Sequence, residues 1–168
     1  GVDGGNTQVC TNKDQPGDED LHQQVQAHQL QFMDLCAGAG AMSIAARNMG
    51  FNQALALDNS IECVQTLLDN GFTNAKHGDL RTYNLTKFKG KIHLMLAGLP
   101  CQPFSNAGLK LGEEDERNLW PYLVLAVQTV EPETFMFETV AGFMDQRNAN
   151  LRDTTEQQLR SLGYTVTL

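Results

Sequence analysis

From residue 29 onward, short apolar runs alternate with amphipathic stretches. Leu30-Gln31-Phe32-Met33-Asp34-Leu35 predicts a buried strand, and Ala41 to Met49 a helix closed by Gly50. Ala54 to Leu57 predicts a second strand ending at Asp58. Ser60 is placed to cap a helix reaching about Asp69, with Gly71 behind it. Asn74 to His77 reads as a third strand with Asp79 in the loop after it, and Ile92 to Ala97 as a fourth. Arg117 to Val130 predicts a helix stopped by Pro132, and Thr134 to Phe137 a fifth strand ending at Glu138. Asn150 to Leu162 predicts a polar-faced helix, and Tyr164 to Leu168 the start of a sixth strand. Strands alternating with helices predict an α/β fold, a doubly wound and mostly parallel sheet with helices on both faces. Such sheets bind ligands beyond the carboxyl ends of their strands. Asp34, Asp58, Asp79, Cys101 and Glu138 all fall at or just after a strand end, so the pattern gathers them on one rim.

Residues 1–28 lack this pattern; their glutamine, aspartate and glycine content predicts a disordered segment or linker before one domain over 29–168. The chain opens on Gly1 and closes on a strand that is only beginning, so both ends read as cut. A length of 168 residues suffices for one domain with a proper core. The net charge of −8 argues against this segment alone gripping nucleic acid, since neutralising phosphates takes lysine and arginine. No apolar run approaches a membrane span. Cys10, Cys36, Cys63 and Cys101 show no metal, redox or secreted-disulfide spacing, and the histidines add no ligand pattern. The expectation is an intracellular setting with no metal.

Three segments carry candidate chemistry. In Asp34-Leu35-Cys36-Ala37-Gly38-Ala39-Gly40, glycines between a strand and a helix let a cofactor approach the backbone near a helix amino end. Asp58, ending the next strand, suits two ribose hydroxyls. Tight turning alone would explain the glycines, and a dinucleotide fingerprint would want glycine where Ser43 stands. In Gly98-Leu99-Pro100-Cys101-Gln102-Pro103-Phe104-Ser105, a strand delivers a cysteine to a loop bracketed by prolines. A lone cysteine is more often a small core hydrophobe, but nothing apolar and periodic surrounds this one. In Phe135-Met136-Phe137-Glu138-Thr139-Val140, an apolar strand ends in a carboxylate, which by itself reads equally as a solvated charge.

Taken in order and spacing, Asp34–Gly40, Asp58, Gly78-Asp79, Pro100-Cys101-Gln102 with Phe104-Ser105, and Glu138-Thr139-Val140 resemble the catalytic half of a DNA (cytosine-5)-methyltransferase. The resemblance implies a Rossmann-like, S-adenosylmethionine-dependent methyltransferase, of the kind found in restriction-modification. It implies a covalent Cys101 adduct on carbon 6 of a cytosine flipped out of the duplex, with Glu138 stabilising the ring charge. It further implies that Asp34, Leu35, Cys36, Ala37, Gly38, Gly40, Asp58, Asn59, Asp79, Pro100 and Leu119 line the cofactor site. Gln102, Ser105 and Thr139 are carried over to the substrate side. Leu119 reads equally as part of a helix start beside a core Trp120.

Two features depart from the family pattern. Thr139 stands where the family usually has asparagine, so one of two polar ends is lost. The paired-arginine motif and the DNA-reading lobe do not occur in these residues, which predicts that 1–168 alone is nearly inactive and that DNA is gripped in the full-length protein. No membrane partner and no oligomer are expected. A tRNA cytosine-5 methyltransferase of the same fold and a non-catalytic binding paralogue remain as alternatives. A nicotinamide-dependent oxidoreductase would leave the Cys101 loop unexplained.

Overall fold

The computed structural model describes residues 30–99 and 118–167. The elements are β1 (Gln31–Leu35), α1 (Ala41–Asn48), β2 (Asn52–Asp58), α2 (Ile61–Asp69), β3 (Ala75–His77), β4 (Leu94–Gly98), α3 (Trp120–Val130), β5 (Thr134–Glu138) and α4 (Ala149–Ser161). The strands form one sheet in the order β3-β2-β1-β4-β5, with every pairing parallel. The expected alternation and the parallel sheet are both present.

The twofold period of the strands sorts their side chains into two cores. Phe32, Ala56 and Leu96 pack with Ala46 of α1 and with Val64 and Leu67 of α2. Met33, Leu35, Leu55, Leu57, Met95 and Ala97 pack on the other face with Leu123, Val127 and Val130 of α3. Those three α3 residues are spaced four and three apart, one stripe of a helix, and all are fully buried. Each such side chain contributes about 1.5–3 kcal/mol relative to exposure.

The element ends follow local chemistry. Ser60 Oγ accepts the backbone N–H of Cys63 at 3.2 Å, the cap expected for α2. Glu131 turns left-handed (φ 52°) after α3, and Pro132 then prevents continuation. At the other end of α3, the buried Asn118 accepts the Trp120 N–H through Oδ1 at 3.1 Å.

The expected sixth strand is not formed by residues 164–167. Tyr164 donates its hydroxyl to Pro132 O at 2.6 Å, and the carbonyl of Val166 accepts from Arg160 Nη2 at 2.7 Å. Side chains therefore hold this segment against α4 and the loop before β5. The apolar residues that suggested a strand serve the core instead, where Val166 is buried.

Candidate active site

Chain direction changes sides at β1: β2 and β3 lie to one side of it, β4 and β5 to the other. Parallel strands diverge there and leave a crevice beyond their carboxyl ends. The turn after β1 holds three left-handed residues, Cys36 (φ 57°), Gly38 (φ 54°) and Gly40 (φ 92°). It is tied to β2 by the Ala37 N–H, which donates to Leu57 O at 3.0 Å. The Gly38 N–H donates to Asp58 Oδ2 at 2.8 Å, and the Ser60 N–H to Asp58 Oδ1 at 2.8 Å. Asp58 is thereby fixed in direction, while each carboxylate oxygen keeps a lone pair for a further donor. A Cβ on Gly40 would lie 2.6 Å from Leu67 Cδ2, so the turn packs onto α2 only because residue 40 has no side chain.

A cavity of about 520 Å³ occupies this crevice, lined by Cys36, Gly38, Asp58, Asn59, Asp79, Arg81, Gly98 and Leu119 among others. It brings together most of the described residues expected at a cofactor. Leu119 lines it, while the neighbouring Trp120 is buried and stacks on Phe143 at 4.3 Å. Leu35, at the end of β1, and Ala37 and Gly40, within the turn, are buried and do not line the cavity.

Asp34 corrects the expectation of a common rim. It sits inside β1, is fully buried, and faces α1 as Phe32 does, because it is two residues further along the strand. Ser43 of α1 donates its hydroxyl to Asp34 Oδ2 at 2.6 Å, whereas Oδ1 has no partner. Burial pushes the Asp34 carboxyl up to about 6, with the Ser43 hydrogen bonds opposing the rise. Ser43, marked in the sequence only as a missing glycine, thus ties α1 to β1 beneath the turn. The signal that could have found it is an acid on the strand and a hydroxyl in the first turn of the next helix.

The sign of the pH dependence follows. Folded Asp34 keeps its proton to about pH 6, whereas the unfolded side chain loses it near 3.8. The stability tied to this proton is complete below about 3.8 and is lost as pH rises through about 6. Above that, Ser43 solvates a buried charge. Ser43→Ala should cost about 1.5–3 kcal/mol near pH 7.5 and only about 0.5–1.5 kcal/mol near pH 5. Urea unfolding at the two pH values checks this; equal losses would mean that Asp34 does not titrate between them.

Cys36 shares the acidic surroundings. Burial, then Asp58, Asp34 and Asp79, push its thiol up to about 12. Asp79 is held by its neighbour: Arg81 donates to its carboxylate through the backbone N–H and the guanidinium, which keeps the Asp79 carboxyl below its ordinary range. Arg81 was not singled out in the sequence; its only mark there is the Asp-X-Arg spacing.

Glu138 ends β5 and lines a second cavity of about 650 Å³ with Met42, Phe137 and Thr139. Gly98 lines the first cavity and lies beside this one: a Cβ there would lie 3.7 Å from Glu138 Oε2 and 3.5 Å from Cys36 O. The carbonyl of Glu138 accepts the Leu99 N–H at 3.0 Å, so the chain leaving β4 is in register with Glu138. The hydroxyl of Thr139 is buried without a hydrogen-bond partner. Pro100, Cys101, Gln102 and Ser105 lie outside the described residues, as does the segment 1–28. No group of three or more potential metal ligands, and no helix long and apolar enough to cross a membrane, occurs among the described residues.

Comparison with known proteins follows this geometry. The chain is 34% identical over 137 residues to the type II methyltransferase M.NgoMIV of Neisseria gonorrhoeae, a match covering 81% of this chain and 44% of that protein. To the type II methyltransferase M.NaeI of Lentzea aerocolonigenes it is 30% identical over 139 residues, covering 80% of this chain and 33% of that one. The chain therefore spans less than half the length of these curated relatives. The Entamoeba histolytica methyltransferase EhMeth shares the fold with a TM-score of 0.66 at 13% identity, over 83% of this chain and 46% of its own. The S. pombe Dnmt2 methyltransferase does so with a TM-score of 0.60 at 23% identity, over 76% and 41%. At those identities the two structures speak for the fold alone. The model of the C-5 cytosine-specific DNA methylase family matches residues 30–168, from the first residue described to the end of the chain, and the chain belongs to that family.

Proposed function

We propose that the protein transfers a methyl group from S-adenosylmethionine to carbon 5 of cytosine in DNA through a covalent Cys101 adduct. The observation that carries the reading is the position of Gly98, which lines the first cavity and lies beside Glu138 of the second. It sets a carboxylate suited to ribose hydroxyls, Asp58, and a carboxylate suited to a pyrimidine edge, Glu138, on either side of the strand that leads to Cys101.

The residues present fit the cofactor. A cavity of about 520 Å³ lies within the size range of small-molecule sites. Asp58 retains acceptor capacity on both oxygens, and Gly38 leaves the turn open, with nothing within 4 Å of the position its Cβ would take. Gly38, Asp58, Asn59 and Asp79 would hold the nucleoside part, with Cys36 and Leu119 against its apolar surface. Bound S-adenosylmethionine supplies an electrophilic methyl group carried on a sulfonium.

The chain's own residues supply the rest. The Cys101 thiolate adds to carbon 6, forming a sulfur–carbon bond as the ring double bond opens. Glu138 shares the proton that arrives on ring nitrogen 3 and accepts a hydrogen bond from the exocyclic amine, stabilising the charge that sulfur addition creates. Carbon 5 is then an enamine carbon, nucleophilic enough to be methylated. Loss of its proton and rupture of the sulfur–carbon bond return the cysteine. The base reaches Cys101 only when flipped out of the duplex. The buried hydroxyl of Thr139 keeps one hydrogen bond to offer.

The test is methyl transfer from radiolabelled S-adenosylmethionine by the full-length protein, offered duplex DNA and tRNA in parallel. Incorporation into DNA is expected. Incorporation into tRNA alone would overturn the DNA reading, and incorporation into neither would favour a binding module.

A further inference from the structure

We infer that His77 is a positioning residue for the Asp58 carboxylate, acting on it through a single peptide unit. The inference rests on the S-adenosylmethionine reading above and names a residue outside the cavity that sets how well the nucleoside is held. Asp58 and Asn59 line the cavity of about 520 Å³, whereas His77 does not. His77 ends β3, in register with Asp58 of β2. Its ring Nε2 lies 3.0 Å from the backbone carbonyl oxygen of Asn59. A carbonyl only accepts, so Nε2 carries the proton and donates. That carbonyl and the Ser60 N–H are the two ends of one planar peptide. The Ser60 N–H in turn donates to Asp58 Oδ1 at 2.8 Å. Turning the carbonyl turns the N–H with it, so a grip on one end aims the other.

This peptide precedes α2, which begins at Ile61, and its two hydrogen bonds fix its plane. The peptide before it is held differently: Asp58 O accepts the Gly78 N–H at 2.9 Å, a main-chain bond that needs no side chain. The end of β3 therefore grips two successive carbonyls, and only the grip on Asn59 depends on residue type. Hydrogen bonds in series polarise one another, so donation by His77 makes the Ser60 N–H a stronger donor to Asp58. The Gly38 N–H holds Oδ2 from the opposite turn. With both oxygens aimed, the carboxylate can meet two ribose hydroxyls together. With Oδ1 released, it pivots on the Gly38 bond and meets them less well. The His77 ring is exposed and needs no charge to donate, so a neutral amide of similar reach can replace it.

The test compares His77→Phe, which keeps a ring without a donor, and His77→Gln, which keeps an N–H donor, in the full-length protein. In isothermal titration with S-adenosylhomocysteine, His77→Phe should bind about three- to ten-fold more weakly than wild type and His77→Gln within about twofold of it, the scale of one hydrogen bond. In steady-state methylation, His77→Phe should raise KM for S-adenosylmethionine by a similar factor and leave kcat unchanged. Amide hydrogen exchange at Ser60, measured without ligand, should be faster in His77→Phe and restored in His77→Gln. Equal affinity of wild type and His77→Phe would overturn the inference. So would an equal loss in both variants, which would mark the packing of the ring rather than its donation. A fall in kcat at unchanged KM, or Ser60 exchange unmoved by His77→Phe, would overturn it too. Failure of wild type and variants alike to bind S-adenosylhomocysteine would instead overturn the cofactor reading, and Ser60 exchange would still decide whether His77 aims Asp58.

Discussion

Cys101→Ser should lower methyl transfer on the order of 10³-fold or more, and should abolish trapping on a duplex carrying 5-fluorocytosine. Carbon 5 of that base holds fluorine where a proton must leave, so the sulfur adduct persists and is seen as a band stable to denaturation. A serine hydroxyl at the same place is a far weaker nucleophile at neutral pH. The structure bears on which cysteine can substitute. Cys36 is the nearest rival in chemical terms, because it lines the cavity beside Asp58. Its thiol is pushed up to about 12 by burial and by three carboxylates, so it stays protonated and unreactive. Cys63 sits on α2, which packs on β2 and β3, at the other side of the sheet from β5 and Glu138. Neither should rescue the variant. A trapped adduct with Cys101→Ser, or none with the wild-type full-length protein, would refute the covalent step.

Glu138→Gln should reduce turnover about a hundred- to ten-thousand-fold, the range of a positioned proton-sharing group. Glutamine still accepts from the exocyclic amine but cannot share a proton with ring nitrogen 3. The loss should fall on the chemical step alone. Glu138 does not line the cavity that holds Asp58 and Asp79, so affinity for S-adenosylhomocysteine should stay within about twofold of wild type. Single-turnover methylation and titration of the cofactor product separate the two. A fall of less than about tenfold in the methylation rate would remove Glu138 from the chemistry.

What the sequence made legible divides along physical lines. Strands, helices and parallel order were readable because each apolar run is short and its ends are marked locally, by Ser60 before α2 or by Pro132 after α3. Asp58 and Glu138 were placed at strand ends because polarity changes there. Asp34 was misplaced because nearness to a strand end does not say which face a side chain takes; its register with Phe32 does. The strand expected from Tyr164 to Leu168 is not formed over the described residues 164–167, because β-propensity needs a neighbouring edge, and Val166 found the core and Tyr164 found Pro132 instead. Arg81 was unreadable because its effect lies in filling another residue's acceptors, which composition does not record. The Cys101 loop, the most specific signal in the sequence, lies outside the described residues.

Gly98 bears on how the two reactants come and go. No residue lines both cavities, and between Cys36 and Glu138 they are separated by a strand end that lacks a Cβ. In the proposed reaction a methyl group would cross this gap, while each large molecule stays on its own side of the sheet rim. Exchange of the spent nucleoside then does not require the nucleic acid to let go. A glycine at the end of one strand would thus govern the traffic of the enzyme as well as its chemistry, acting as a window between two rooms with separate doors.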